Sequence, residues 1–71
     1  MNYYDYIITG FNELNEIVLK TNNLHFISLK NARRTAKREM KLINDMVFVN
    51  IERFNKISGE ISFVERIGKE K

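Results

Sequence analysis

The sequence predicts an α+β fold in which one amphipathic basic helix packs on one face of an antiparallel sheet of about four strands, in the order β-β-α-β-β. Three observations predict it. The chain begins with an aromatic and β-branched segment, which is typical of a strand. In the middle of the chain, apolar residues recur at spacings of three and four, as in a helix. The last part has two segments in which apolar and polar residues alternate, joined by a turn that contains glycine, as in a β-hairpin. Because no proline, linker-like stretch or repeat interrupts the chain, residues 1–71 are expected to form a single small domain.

The first 27 residues contain two predicted elements, and the second one is ambiguous. Residues 3–9, "YYDYIIT", are typical of a strand because aromatic and β-branched side chains fit a pleated sheet. Residues 12–21 fit either a second strand, reached through a loop around Gly10–Leu14, or a helix, since their apolar residues also suit helical spacing. The strand is favoured because a strand that enters a turn typically has this sequence: Ile-Val-Leu, then Thr, then Asn22–Asn23. Residues 24–27 would then be a short extended entry to the helix.

The helix is predicted over residues 28–43, "SLKNARRTAKREMKLI". Ser28 suits the N-cap because its hydroxyl can accept a hydrogen bond from a free backbone N–H of the first turn. Apolar residues at spacings of three and four then form one stripe, which consists of Leu29, Ala32, Ala36, Met40 and Ile43. Asn44 can end the helix.

A β-hairpin is predicted over about residues 46–67, and a short charged tail, 68–71, follows it. Residues 47–52 alternate with the period of a strand, and so do residues 61–64. Gly59 in the intervening "NKISG" can adopt the positive φ that tight turns need. The residues of the first strand expected to face the helix are Val47, Val49 and Ile51.

Size and composition restrict the possible functions. A chain of 71 residues has a thin core. Without cysteine and with one histidine it can hold neither a disulfide nor a zinc site of the usual ligands, so a partner or a second copy is the remaining source of extra stability. No catalytic, cofactor or metal signature is present, and so little chain leaves little material for a sheltered pocket, so we expect a protein that is not an enzyme. With no apolar run near the roughly 20 residues of a membrane span and no signal peptide, it is expected in the cytoplasm.

Positive charge is concentrated in the predicted helix. Residues 28–43 carry six of the twelve basic residues and one acid, a charge of +5, whereas the rest carries six bases and eight acids, a charge of −2. On a helical projection five bases fall in one band of about 100°, with Arg33 at its margin towards the core. The six candidate anion-binding residues are Lys30, Arg33, Arg34, Lys37, Arg38 and Lys41.

This basic stripe has a structural and a functional interpretation. Charged helix faces most often only keep a domain soluble, but such faces usually intersperse the two signs. Here the residues four apart are like-charged, which destabilises a helix by a few tenths of a kcal/mol per pair. The sequence therefore favours contact with something anionic: an acidic protein surface, a nucleoprotein, or DNA or RNA directly. No motif for reading bases is visible, and a membrane is disfavoured because the apolar stripe is rich in alanine and needed for the core.

One helix can cover only one face of the sheet. Phe48 and Phe54 are expected on the uncovered face, with Val64 beside them on the partner strand. They could be covered by an N-terminal strand or by Tyr3, Tyr4 and Tyr6, as a minor cluster, or they could form a dimer or partner interface. A platform for stacking single-stranded bases is the weaker alternative, because Glu52 and Glu65 would repel phosphate.

The segment "FISLKNARRTAKREM" leading into "MVFVNIERFNKISGEISFVERI", about 45 residues, resembles the small accessory proteins of phages and mobile elements, including anti-CRISPR-like inhibitors. The small size, the lack of cysteine and a composition rich in Asn, Ile and Lys, typical of AT-rich genomes, belong to the same resemblance. It implies a non-enzymatic protein that occupies the surface of another macromolecule in a bacterial cytoplasm. Two alternatives stay open: sequence-nonspecific nucleic-acid binding, and a self-assembling module that dimerises through Phe48 and Phe54.

Overall fold

The structure is a computed structural model that describes residues 3–20 and 28–69. It contains a four-stranded antiparallel sheet and one helix in the order β-β-α-β-β, which confirms the predicted fold class. The elements are β1 (Tyr4–Phe11), β2 (Ile17–Lys20), α1 (Leu29–Leu42), β3 (Phe48–Asn55) and β4 (Ile61–Gly68). The entry segment predicted at residues 24–27 lies outside the described residues.

The strands lie in the spatial order β2-β1-β3-β4, so β1 and β3 are central and β2 and β4 are edge strands. Each sequential hairpin pairs its own two strands, and β1 pairs with β3 over its full length, with Ile8 opposite Ile51 and Gly10 opposite Val49. Residues 17–20 are a strand, as favoured, rather than part of a helix.

The loop between β1 and β2 is tight because one side chain organises it. The Asn12 Oδ1 atom accepts hydrogen bonds from the backbone N–H groups of Leu14 (3.0 Å) and Glu16 (2.9 Å), and Asn15 adopts a φ of 62°. Asparagine suits both positions, since its short side chain bonds the nearby backbone and tolerates the left-handed region. The loop therefore begins at Asn12, and Gly10, expected in the loop, lies inside β1.

Helix α1 begins as the sequence indicates. The Ser28 Oγ atom accepts a hydrogen bond from the Asn31 N–H at 3.2 Å, which satisfies one of the free donors of the first turn. The helix ends at Ile43, whose N–H donates to the Glu39 carbonyl at 2.8 Å while its own backbone is extended, one residue before the predicted end at Asn44.

The core lies between α1 and the two central strands. Ala32 and Ala36 are fully buried, and their small side chains let the helix lie close to the sheet. Met46, from the connection between α1 and β3, is also fully buried and lies directly over Gly10. The buried apolar residues are Ile8, Ala32, Ala36, Met40, Met46, Val49 and Ile51.

An irregularity in β4 decides which of its residues face the helix. Ile51 is opposite Glu65, but its neighbour Glu52 is opposite Phe63, so Val64 is an extra residue of the kind found in a β-bulge. Beyond this bulge the alternation of side chains is inverted. Val64 is half-buried and packs against the helix-side core, so it does not lie beside Phe48 and Phe54 as predicted.

Candidate anionic-partner interface

All six candidate anion-binding residues of α1 are exposed, and three of them, Arg33, Lys37 and Lys41, lie on the flank of the helix that borders β4. This placement follows from the amphipathic pattern: the alanine-rich stripe faces the sheet, so the bases that flank it are turned to solvent. At a rise of 1.5 Å per residue, the stretch from Lys30 to Lys41 is about 16 Å long.

Arg33 differs from the other five because it is bound within the fold. Its Nε–H donates to the Glu65 Oε1 atom on β4 at 2.7 Å, and the Arg33 side chain is 50% exposed. A pair this exposed stabilises a protein by at most about 1 kcal/mol, but it neutralises the charge of Arg33 and ties α1 to β4. Arg33, which was predicted to bind an anion, therefore already has an anionic partner within the fold.

The other five bases carry positive charge that the fold leaves largely uncompensated. Arg38 approaches Glu39 at 3.6 Å, but its side chain is 66% exposed and the contact is long for a hydrogen bond. Within residues 3–20 and 28–69, no acidic group forms an ion pair with the remaining four. We call these five residues the basic face: Lys30, Arg34, Lys37, Arg38 and Lys41.

A groove of about 560 Å³ lies between the C-terminal half of α1 and the end of β4. It contributes one further base, Lys69, which sequence reasoning assigned to the charged tail. The sequence contained part of the information needed to find Lys69. It follows Glu65 by four residues, and residues four apart in a strand lie on the same side of it. The lining residues are Lys37, Met40, Lys41, Asn44, Ile67, Gly68 and Lys69.

The uncovered face of the sheet holds a closed aromatic stack. Phe48 lies on the central strand β3, with the Phe11 ring of β1 stacked on it at 4.9 Å between centroids and 19° between planes. The Arg66 guanidinium of β4 lies 4.2 Å from the Phe48 centroid and donates from Nε to Asn50 at 3.0 Å. Because β1 and β4 flank β3 on opposite sides, both faces of the Phe48 ring are occupied, which leaves neither face for a stacked base.

The most exposed apolar side chains of this face are ones that sequence reasoning did not select. Phe63 and Ile61 are 62% and 58% exposed, and their register opposite Glu52 and Phe54 places them on the uncovered side. Phe54 itself is half-buried. Tyr6 does not cover this face, since it lies in register with Arg53 on the helix side and packs against the core.

The two sides of the molecule differ in charge. On the uncovered side the Lys56 ammonium lies 3.2 Å from the Asp5 carboxylate, and the charge of Arg66 is accompanied by that of the half-buried Glu52. The uncovered side is thus apolar and nearly balanced, whereas the exposed flank of α1 is basic. The fold therefore separates two surfaces with different chemistry.

A second, smaller depression of about 300 Å³ lies near the β1–β2 loop and includes Glu13 and Asp45. In the described ranges, no group of three or more His, Cys, Asp or Glu side chains is placed to hold a metal ion. Among those same residues, no helix is long and apolar enough to span a bilayer.

Comparison with known proteins adds no relative: no family model matches the chain, and no curated protein or solved structure matches it at a significant level.

Proposed function

We propose that the protein is a small non-enzymatic binding protein, of the inhibitor or accessory type carried by phages and mobile elements, that docks α1 on an acidic surface of a nucleic-acid-handling protein or nucleoprotein. One observation carries the proposal. The fold neutralises Arg33 through Glu65, yet Lys30, Arg34, Lys37 and Lys41 form no ion pair with any other described residue.

The energetics of α1 support a bound anion. Lys30 and Arg34, Arg34 and Arg38, and Lys37 and Lys41 are like-charged pairs four residues apart, and each destabilises the helix by roughly 0.2–0.5 kcal/mol. No acid stands in the first turn, where the helix dipole favours one. These small losses to folding would be offset when an acidic surface covers the basic face, and the field of the stripe would speed and orient docking.

Two features favour a protein surface over free nucleic acid. Next to Lys37 and Lys41 the groove has an apolar floor of Met40 and Ile67, and an apolar centre bordered by polar groups is the usual arrangement of a protein interface. On the uncovered side of the sheet, both faces of the Phe48 ring are occupied, by Phe11 and Arg66, so Phe48 offers no face to a base. A partner with carboxylates around an apolar contact would match this surface better than a uniform phosphate chain.

The proposal is tested with the immobilised protein and a bacterial lysate treated with nuclease, followed by mass spectrometry and titration of the purified partner. The variant Arg34→Glu/Lys37→Glu/Arg38→Glu should lose the partner while its circular dichroism spectrum and unfolding midpoint stay close to those of the parent. The charge-conserving variant Arg34→Lys/Lys37→Arg/Arg38→Lys should retain it. Unchanged binding by the reversed variant would refute the proposal.

A second pair of variants controls for net charge. Lys37→Glu and Lys20→Glu both reverse one exposed lysine, but Lys20 lies on β2 and away from the basic face. We expect a marked loss of affinity from Lys37→Glu alone. Equal losses from both would mean that overall charge, rather than the surface of α1, governs binding.

Direct nucleic-acid binding is the alternative with a clear signature. If the five residues of the basic face each neutralised one phosphate, the logarithm of affinity would fall with a slope of about −4.5 against the logarithm of salt concentration. That slope corresponds to a loss of roughly 500-fold between 50 and 200 mM salt. Tight binding of the purified protein to labelled DNA or RNA with this slope would favour the alternative over a protein partner.

A further inference from the structure

The groove between α1 and β4 has bases on both sides. Lys37 and Lys41 line it from the helix, and Lys69 lines it from the end of β4. The three ammonium groups belong to two elements that are far apart in sequence, so their proximity is a property of the fold rather than of one helix face. We call this feature the α1–β4 groove.

The charges of the groove change along its length. Towards the start of α1, the base Arg33 meets an acid of β4, Glu65, at 2.7 Å. Towards the end of α1, Lys41 has another base, Lys69, as its counterpart on the strand side. The Lys69 Nζ atom donates to the neutral backbone carbonyl of Asn44 at 3.1 Å, so this contact does not neutralise its charge. The far end of the groove therefore concentrates positive charge with no acid from the described residues.

The floor and the entrance of the groove are open to a side chain. Met40 is 6% exposed and Ile67 is half-buried, so the floor is apolar and belongs to the core. At the entrance Gly68 lines the groove with its backbone alone. A carboxylate on a short chain can enter and reach the lysines while its methylenes contact the floor.

Among the strands that the structure describes, β4 lies at the edge of the sheet beside the groove. β4 is the last strand of the sheet, and β3 is its neighbour on one side only. The Lys69 N–H donates to the Val47 carbonyl at 2.9 Å, that is, towards β3. Because successive residues of an antiparallel strand direct their backbone groups to alternate sides, those of Gly68 and Arg66 point towards the open edge. An extended peptide could therefore add as a further strand at this edge.

We infer that the α1–β4 groove and the adjoining edge of β4 bind an extended acidic segment of the partner as an added strand, with alternate carboxylates directed at Lys37, Lys41 and Lys69. This inference rests on the proposed function and specifies the contact. The alternation follows from strand geometry, since every second side chain of an added strand faces the helix side. A nucleic-acid strand lacks the peptide N–H and C=O groups that this edge would pair with.

The test uses a labelled eight-residue peptide in which Glu alternates with Val, a block peptide of four Glu and four Val, and a single-stranded DNA octamer. Fluorescence anisotropy should give an affinity for the alternating peptide about tenfold or more above that for the block peptide. Lys69→Glu should abolish the difference. Equal affinities for the two peptides, or stronger binding of the DNA octamer, would overturn the inference.

A glycine pair tests the backbone contact itself. Gly68→Pro removes the N–H at the open edge, whereas Gly68→Ala keeps it and adds a methyl group into open space. Binding of the alternating peptide should fall about tenfold or more in the proline variant and stay unchanged in the alanine variant. Should the proline variant not fold, hydrogen exchange in the parent decides: the peptide should slow exchange of the Arg66 and Gly68 amides, and unchanged exchange would overturn the inference.

The two proposals fail in different ways. Arg34→Glu/Arg38→Glu reverses two residues of the basic face that do not line the groove. If it abolishes capture of the partner while Lys69→Glu and Gly68→Pro have no effect on capture or on peptide binding, the docking role of α1 stands and the added strand is excluded. If neither the helix variant nor Lys69→Glu affects capture, the docking role fails as well.

Discussion

Replacement of Gly10 by alanine is expected to destabilise the protein through one identified contact. Gly10 lies inside the central strand β1, where alanine is ordinarily preferred to glycine by 0.5–1 kcal/mol. A Cβ atom at this position, however, would lie 2.0 Å from the Met46 Sδ atom and 3.2 Å from the Leu19 Cβ atom. The Met46 side chain is fully buried and must move to make room.

The magnitude follows from that distance. Non-bonded heavy atoms prefer separations of about 3.5–4.0 Å, so the sulfur must retreat by about 1.5 Å or more within a packed core. Overpacking of this kind typically destabilises a protein by 1–3 kcal/mol, and the usual gain from alanine in a strand offsets part of it. We therefore expect a net loss of about 1–2 kcal/mol. For a domain of this size the total stability is roughly 4–11 kcal/mol, so the loss is substantial.

Urea unfolding followed by circular dichroism measures the effect. With a slope near 1 kcal/mol per M, the Gly10→Ala midpoint should fall by about 1–2 M. Gly68→Ala is the matched control and should stay within about 0.5 kcal/mol of the parent, because its new methyl group meets nothing within 4 Å.

A double-variant cycle isolates the cause. Met46→Val removes the sulfur that the new methyl group would meet. The pair Gly10→Ala/Met46→Val should therefore be more stable, by about 1 kcal/mol, than the sum of the single effects predicts. Additive losses, or a Gly10→Ala variant as stable as the parent, would refute the role assigned to this contact.

Three further predictions concern the hairpin turn, the helix cap and the uncovered face. Gly59→Ala should lower the free energy of unfolding by about 1 kcal/mol in thermal denaturation, because alanine is strained at a φ of 79°; Gly59→Asn should lose less, and equal losses would contradict the explanation. In the same assay Ser28→Ala should lower the free energy of unfolding by about 1 kcal/mol, because it removes the acceptor of the hydrogen bond from the Asn31 N–H. Ser28→Asp should keep the cap and the stability of the parent. Ile61→Ser/Phe63→Ser should leave stability nearly unchanged and abolish any concentration-dependent increase in mass by light scattering; a parent that stays monomeric at all concentrations would exclude self-association through this face.

Local patterns were sufficient to predict the order of the elements. The period of two in residues 47–52 and the spacing of three and four after Ser28 reflect which side chains each element can bury, and both are written in consecutive residues. For the same reason the helix is placed within one residue of its bounds. These features depend on neighbours in sequence and hardly on distant parts of the chain.

Features that depend on distant contacts were missed. The bulge at Val64 has no glycine or proline to mark it, and it inverts the alternation so that Val64 faces the core and Phe63 faces outward. Gly10 was expected in a loop, because glycine is common in turns. Gly10 instead pairs with Val49 inside β1, and the buried sulfur of Met46, 36 positions further along, leaves no room for a side chain there.

In the candidate site too, some features follow from neighbouring residues and others depend on distant contacts. Helical periodicity alone brings Lys30, Arg34 and Lys37 to one exposed flank. The partner of Arg33 and the addition of Lys69 require knowledge that β4 runs alongside that flank. Sequence reasoning could therefore place the basic face but could not say that the fold neutralises its neighbour Arg33.

The strand side of the α1–β4 groove has an acid near the start of α1 and a base near its end. Glu65 shows that β4 can supply a carboxylate to α1, and at 2.7 Å it does so with good geometry. Four positions further on, where a second acid would neutralise Lys41, the chain has Lys69. An acid there would reduce the repulsion between like charges but would lose the bond from the Lys69 ammonium to the Asn44 carbonyl just past the end of α1, so the two effects on stability oppose each other. The lysine suits a carboxylate that comes from another molecule. Lys69→Glu should therefore abolish partner binding while the free energy of unfolding stays within about 0.5 kcal/mol of the parent, and retained binding would contradict this role.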